Sequence, residues 1–380
     1  MAGQSSKESL RKGWTTGACA TAAAASAYEA LLTGRFPDPV GIILPGGQTP
    51  EFALSRSALS GETATAGVIK DAGDDPDVTH GAEIIATVTL APPGSGIEFR
   101  AGDGVGTVTR PGLALDVGEP AINPGPRGMM TTALDALAET HGTSVNGTSV
   151  NGTSVHGGSG DVILTISIPG GQALAEKTMN GRLGIIGGLS VLGTTGIVIP
   201  YSCSSWIHAI HRGVDVARAS GLTHIAAATG STSESAVQAL YGLPETALID
   251  MGDFAGGLLK YLRQHPVDKL SLAGGFAKLT KLAQGHLHLH SSASEVDKDG
   301  LARWLGELGA DESDCDAART ANTAGEVLSR AQSLNLPLGD FVARRAREVA
   351  MATLSGGTAL EILVYDRRGR QVGRAGGFDD

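Results

Sequence analysis

The chain has 380 residues, 55 of them Gly and only 15 aromatic (7 Phe, 5 Tyr, 3 Trp), so glycine runs at about twice its usual share. Apolar residues at 41% and charged residues at 18% supply packed cores for roughly two or three domains and exclude a disordered chain, and the lack of a three-residue glycine period excludes a collagen-like fibre. A net charge of −10, from 29 Lys and Arg against 39 Asp and Glu, has the wrong sign for gripping nucleic acid along a broad basic face.

At the amino terminus, Lys7, Arg11 and Lys12 precede an Ala- and Thr-rich run at 18–27 that mimics a secretory leader. The run lacks Leu, Ile, Val and Phe and is too weakly apolar for an export core. Thr15 or Thr16 in front of it reads instead as the cap of a helix over 16–32, stopped by Thr33-Gly34. Segments 40–44 and 51–54 around Pro45-Gly46-Gly47-Gln48 predict a hairpin, and 63–69, 83–90 and 97–101 predict further strands. A Gly- and Pro-rich stretch at 102–128 leads into a helix over 129–140, where Met130, Leu134 and Leu137 fall at helical spacing. Residues 142–156 repeat a unit as GTSVN, GTSVN, GTSVH. The period is too short for a solenoid and predicts an exposed inserted loop. Alternation over 162–168 predicts a strand. The run 183–210 carries no Asp, Glu, Lys or Arg, but its many glycines and hydroxyls fit a buried Gly-rich loop or strand better than a membrane span.

Beyond it the pattern becomes βα: strand 223–229 with helix 234–241, strand 247–251 with helix 253–264, and strand 269–273 with helix 276–284. Such units predict a parallel sheet with covering helices. A helical segment over 299–333, a helix over 338–354 and a hairpin of 359–365 with 370–375 complete the chain. The fold class is therefore α/β (mixed α+β). The expected regions are an N-terminal β-rich α+β domain over 1–175, a Gly-rich segment with a Rossmann-like parallel-sheet domain over 176–310, and C-terminal helices and hairpin over 311–380 that return to pack on the first domain. Cys19, Cys203 and Cys315 are odd in number and form no C-x-x-C pair, which points to a reducing compartment, cytoplasmic by default, without disulfides or structural zinc.

Ligands of open α/β sheets bind in the crevice at the carboxyl ends of the strands. Gly230, Ser231 and Thr232 sit between a strand and a helix start, and Asp250 ends the next strand. Helix-start amides with hydroxyls suit a carboxylate or phosphate, and the acid suits a ribose diol. The competing reading is a plain helix cap and an ordinary strand-end acid. Ala101-Gly-Asp-Gly-Val-Gly106 lacks a following helix and reads as a turn placing Arg110, while the prolines of 119–127 stiffen a loop that presents Asn123 and Arg127. His286, His288 and His290 alternate, as three imidazoles on one strand face would, but no fourth ligand accompanies them and a polar edge is the better account. Asp71, Asp74, Asp75 and Asp77 lack EF-hand spacing and read as a solvated acidic loop. The absence of G-x-S-x-G and G-x-x-x-x-G-K-[ST] removes α/β-hydrolases and P-loop NTPases.

The segments Lys12-Gly-Trp-Thr-Thr-Gly-Ala-Cys-Ala20, Gly104-Val-Gly-Thr-Val-Thr-Arg-Pro-Gly-Leu113, Gly118-Glu-Pro-Ala-Ile-Asn-Pro124, Asn180-Gly-Arg-Leu-Gly-Ile-Ile-Gly-Gly-Leu-Ser-Val-Leu-Gly-Thr-Thr-Gly196 and Gly274-Gly-Phe-Ala-Lys-Leu-Thr-Lys-Leu-Ala-Gln-Gly285 resemble the cobalt-precorrin-5B C-1 methyltransferase family of anaerobic cobalamin biosynthesis. The resemblance extends from about residue 10 to the final hairpin; Ala18, where the family pattern has Thr, and the GTSVN insertion are departures. It implies S-adenosylmethionine-dependent methylation of C-1 on a cobalt-bound tetrapyrrole, giving cobalt-precorrin-6A, with cobalt present only as part of the substrate and no resident metal. Gly230, Ser231, Thr232 and Asp250 are then candidates for the methyl donor. Lys12, Thr15, Thr16, Arg110, Asn123, Arg127 and Arg182 are candidates for the substrate and its carboxylates. Glu119 and His290 are candidates for proton transfer, with nothing to choose between them. The rival readings are a non-catalytic tetrapyrrole carrier and an enzyme using another nucleotide in the same crevice. Neither a nucleic-acid nor a membrane partner is expected, and a homo-oligomer is compatible with the sequence. The glycine excess at 102–112, 181–196 and 274–285 reads as backbone approaching ligands as well as tight turns.

Overall fold

The computed structural model describes residues 10–92, 94–142 and 161–378, so the expected loop of GTSVN repeats lies outside the described residues apart from its first glycine. The chain divides into two compact units, Met1–Ser202 and Cys203–Asp380.

The first unit runs β1 (Gly13–Trp14), α1 (Thr16–Thr33), β2 (Val40–Gly41), β3 (Glu51–Phe52), β4 (Arg56–Ser60), β5 (Thr63–Ile69), β6 (Glu83–Leu90), β7 (Ile97–Ala101), β8 (Thr107–Val108), α2 (Pro124–Gly142), β9 (Val162–Ser167), α3 (Gly171–Ala175), β10 (Ile185–Ile186) and β11 (Ile197–Val198). Its main sheet has the order β4-β5-β6-β9-β7, antiparallel except between β9 and β7. Alternate residues of the inner strands, Ala64, Ala66 and Val68, Ile84, Ala86 and Val88, and Val162, Leu164 and Ile166, are buried in one core with α1, as a period of two dictates. Intervening hydroxyls pair across the strands, Thr63 with Thr89 and Thr65 with Thr87, each at 3.0 Å. The alanines of α1 let it approach the sheet closely. Thr15 caps it by accepting from the Ala18 amide at 3.2 Å, and Gly34 ends it at φ 76°. Strand β4 was not expected: all five of its residues are exposed, so it has no apolar alternation, and it forms by pairing with β5 and by the ion pair of Arg56 with Glu83 at 2.6 Å.

The acidic loop is not merely solvated. Asp71 pairs with Arg11, which holds its carboxyl down at about 2, Asp74 accepts the Arg11 amide at 2.6 Å, Asp75 accepts the Tyr201 amide at 2.8 Å, and Asp77 pairs with the buried Lys70. The loop thus ties both the segment before β1 and the segment after β11. The uncharged run is also not uniformly buried: Ile186, Leu192, Ile199 and Tyr201 are more than half exposed, and the run ends inside a helix.

The second unit begins with that helix, α4 (Cys203–Ala219), and continues with β12 (His224–Ala228), α5 (Ser231–Tyr241), β13 (Leu248–Asp250), α6 (Ala255–Leu262), β14 (Lys269–Gly275), α7 (Phe276–Ala283), α8 (Lys298–Glu307), α9 (Glu312–Thr320), α10 (Ala324–Ser333), α11 (Leu338–Leu354), β15 (Ala359–Tyr365) and β16 (Gln371–Ala375). The sheet order is β13-β12-β14-β15-β16, parallel as far as β15 and antiparallel at β16. Ile225, Ala227, Leu270, Leu272, Leu360, Ile362 and Val364 face a core shared with α4, α6, α7 and α11, while Ala226, Ala273, Leu363 and Tyr365 face α5. Helices therefore cover both faces. The C-terminal hairpin is part of this sheet, because β15 is buried without interruption from Leu360 to Tyr365, as a strand covered on both faces beside β14 must be; the expected three regions, with 311–380 returning to the first domain, give way to two units divided after Ser202. On the α5 face, Glu361 is fully buried and accepts hydrogen bonds from Tyr241 Oη at 2.5 Å, Ser271 Oγ at 3.1 Å and Arg374 Nε at 2.6 Å.

Candidate functional site

Between β12 and β14 the order of strands reverses, since the chain leaves β12 for β13 on one side and returns to β14 on the other. Such a switch point separates the loops at the carboxyl ends of the two strands and opens a crevice. Here the crevice has a volume of about 980 Å³ and is lined by Thr229–Ser233 after β12, by Gly275–Lys278 after β14, by the first turns of α10, and by Tyr365, Asp366, Arg367, Arg368 and Arg370 of the final hairpin.

Its floor is made of helix starts. Neither Gly230 before α5 nor Gly275 before α7 offers a side-chain cap, so first-turn amides of both helices are left for a ligand or water. A Cβ on either glycine would meet nothing within 4 Å; the missing side chains leave space in the crevice rather than room for the protein's own packing. By contrast α10 is closed by a capping box, with Thr323 Oγ1 accepting from the Glu326 amide at 3.3 Å and Glu326 accepting from the Asn322 amide at 3.0 Å. Thr229 braces the floor: Lys278 Nζ donates to its carbonyl at 2.8 Å and also lies 3.0 Å from Asp253 Oδ1.

The hairpin tip forms one wall. Asp366 Oδ1 accepts the amides of Arg368 and Arg370 at 2.8 and 2.9 Å, and its Oδ2 accepts from the Arg370 guanidinium at 2.8 Å. Burial alone would raise this carboxyl, but those hydrogen bonds hold it below the usual carboxylate range. Gly369, at φ 76°, closes the turn, and a Cβ there would lie 3.3 Å from Thr232 Cγ2. The lining thus carries four cationic side chains against the carboxylates of Asp366 and Glu326.

Gly230, Ser231 and Thr232 are therefore brought together at the crevice. Asp250 is not among its lining residues: it ends the edge strand β13, in register with Ala228 of β12, and its carbonyl accepts the Trp206 indole N–H at 3.2 Å. His286, His288 and His290 do not lie on a strand; His288 stacks on Phe254 at 4.9 Å and His290 Nδ1 shares a 2.7 Å hydrogen bond with Ser292. Among the described residues, no group of three or more His, Cys, Asp or Glu is arranged to hold a metal, and no helix is long and apolar enough to cross a membrane.

The remaining candidates lie in the first unit. Thr15 is occupied as the cap of α1, and Thr16 is buried beneath it. Arg127 and Glu119, assigned separate roles from the sequence, are partners: the guanidinium lies 3.3 Å from the carboxylate, donates to the Ile122 carbonyl at 2.7 Å and stands 5.4 Å over the Phe99 ring. Together they hold the 119–122 loop. The Asn123 amide donates to the Val191 carbonyl at 3.0 Å. Lys12 and Arg110 are exposed, Arg110 lying across Gly184, while Arg182 is half-buried. Motif glycines here meet protein backbone: a Cβ would stand 1.9 Å from the Ile168 carbonyl oxygen at Gly104 and 2.2 Å from the Gly104 carbonyl oxygen at Gly188, and Gly171, outside the motifs, would meet that same Gly104 oxygen at 2.3 Å. Sequence reading missed Lys278 and the arginines of the hairpin tip. Lys278 lies within the quoted 274–285 motif, but the arginines carry only the signal of an ordinary turn.

Family models match twice, one described as CbiD over residues 3–200 and one as CbiD, C-terminal domain, over 288–376. A Brucella anthropi protein named cobalt-precorrin-5B C(1)-methyltransferase is 58% identical over 369 residues, covering 97% of this chain and 96% of its own length. A Bradyrhizobium sp. protein of the same name is 59% identical over 371 residues, covering 97% and 95%. Among solved structures, a cobalamin biosynthesis protein (cbiD) from Archaeoglobus fulgidus matches at 25% identity over 70% of this chain and 77% of its own, with a TM-score of 0.38. On the family matches and these near-full-length identities, the chain belongs to the CbiD family.

Proposed function

We propose that the chain transfers a methyl group from S-adenosylmethionine to C-1 of cobalt-precorrin-5B, a step of cobalamin synthesis carried out in the cytoplasm, and that the crevice of the second unit holds the donor. The observation that carries the reading is the 58–59% identity, over nearly the whole chain, with relatives that bear the name of this reaction. The crevice supports the placement of the donor. Its uncapped helix starts suit the amino-acid carboxylate, and the open space at Gly230 and Gly275 admits a ligand close to the backbone.

The donor supplies a methyl already activated on sulfonium: the C–S bond breaks with its electron pair left on sulfur, an electron pair of the macrocycle forms the C–C bond at C-1, the macrocycle releases one proton to solvent so that its net gain is CH₂, and S-adenosylhomocysteine leaves as a neutral thioether. The chain's own part is alignment and exclusion of water. The amides of Ser231, Thr232 and Phe276 orient the donor, and Lys278, which donates to the Thr229 carbonyl and pairs with Asp253, braces the floor beneath them. Lys12, Arg110 and Arg182 are proposed contacts for substrate carboxylates, whereas Glu119 and Arg127 position the 119–122 loop.

Anaerobic incubation of the purified chain with cobalt-precorrin-5B and S-adenosylmethionine should yield a product heavier by one CH₂, read by mass spectrometry, together with S-adenosylhomocysteine. Tight binding of the macrocycle with no mass gain would instead make the protein a carrier, and binding of ATP or NAD in place of S-adenosylhomocysteine would assign the crevice to another nucleotide.

A further inference from the structure

We infer that Arg367 and Arg368, at the tip of the β15–β16 turn, bind peripheral carboxylates of the tetrapyrrole, so that the crevice receives part of the substrate as well as the donor. The inference rests on the reading of the crevice as the donor site.

Of the three arginines on this wall, Arg370 is neutralised by Asp366 at 2.8 Å. The guanidinium groups of Arg367 and Arg368 have no hydrogen-bond or ion-pair partner among the described residues, although Asp366 fixes the backbone that carries them through the Arg368 and Arg370 amides. The turn is thereby rigid while two of its charges stay unspent, a preorganised arrangement that lowers the ordering cost of binding an anion. In a chain of net charge −10, two adjacent unpaired cations at the edge of a cavity are a local reversal of the protein's field.

These charges are wrong for the donor. The donor's sulfonium and ammonium outnumber its single carboxylate, so guanidinium groups beside it repel it on balance. They are right for a ligand bearing several carboxylates, which a guanidinium binds through two parallel N–H donors. Size points the same way, because about 980 Å³ lies at the upper end of small-ligand sites, which span about 300–1,000 Å³, and leaves room beyond one nucleoside.

The test uses the full chain, with uroporphyrin I, an octacarboxylate tetrapyrrole, as probe and S-adenosylhomocysteine as donor analogue, both titrated by fluorescence or calorimetry. The double variant Arg367→Gln with Arg368→Gln should bind uroporphyrin about tenfold more weakly and with a shallower salt dependence, and bind S-adenosylhomocysteine within about twofold of wild type. Arg263→Gln, at an exposed arginine on α6's end, serves as a control for loss of an arginine away from the crevice and should change neither. Unchanged uroporphyrin affinity in the double variant overturns the inference, as does a loss confined to S-adenosylhomocysteine or ATP, which would give the arginines to a nucleotide. Circular dichroism checks the fold, and restoration of uroporphyrin binding by the Arg→Lys pair at both positions would support a role for charge. The donor reading is tested separately with Gly275→Val: if S-adenosylhomocysteine binding survives that change, the donor lies elsewhere, whatever the arginine result.

Discussion

At Gly104 the backbone sits at φ 71°, and a Cβ would lie 1.9 Å from the Ile168 carbonyl oxygen. Gly104→Ala therefore meets both a disfavoured conformation and a backbone that cannot yield, and should cost about 3 kcal/mol or more, read as a lower urea midpoint. Gly275 has φ −66° and nothing within 4 Å of a Cβ. Gly275→Val should therefore keep stability within about 1 kcal/mol, yet weaken S-adenosylhomocysteine binding by about tenfold or more by filling the crevice, as calorimetry would show. Both residues belong to conspicuous Gly-rich motifs. Composition alone assigns such glycines to ligands or turns, whereas Gly104 and Gly188 serve backbone crossings inside the first unit.

At the level of elements, the C-terminal hairpin is fastened to the second unit by a buried charge. Glu361 on β15 is fully buried and paired with Arg374 on β16, which is itself 43% exposed. Removing the arginine strands a carboxylate without its counter-charge, so Arg374→Ala should cost about 3 kcal/mol by denaturant titration. Glu361→Gln retains much of the shape and should cost less. Elements with strong periodicity were legible in the sequence: β5, β6, β7 and α11 have the expected boundaries. Strand β4 was not, because its stability comes from the neighbouring strand and an ion pair rather than from its own pattern. Helix α4 was masked by the uncharged run that extends into it, although its buried Ile210, Val214 and Ala217 fall at helical spacing. Half of the crevice was legible, since Gly230, Ser231 and Thr232 follow a strand locally. The hairpin wall was not, because which sheet a C-terminal hairpin joins is a long-range matter that its turn sequence does not encode.

For the molecule as a whole, the net charge of −10 acts on a carboxylate-rich ligand before any contact forms. The Debye length falls from about 30 Å at 0.01 M salt to about 8 Å at 0.15 M, so added salt should first relieve long-range repulsion. Uroporphyrin association should then quicken by about twofold over that range while dissociation also quickens, because the local guanidinium contacts weaken. Stopped-flow fluorescence separates the two rates. An association rate that falls with salt would mean that the cations of the crevice dominate the field even at a distance.

Strand β15 lies inside the second unit's sheet, between β14 and β16, yet five helices, α7 to α11, separate it from β14 along the chain. During synthesis, β12, β13 and β14 leave the ribosome while the flank of β14 that β15 will cover is still an open edge, with Leu270 and Leu272 among the apolar residues on that strand. Such an edge is a template for wrong pairing. The wall that carries Arg367 and Arg368 is made only after β14 and the five helices that follow it, so ligand recognition in the crevice cannot begin until that whole span has been translated, and the nascent protein passes through a long aggregation-prone interval before it can bind anything there.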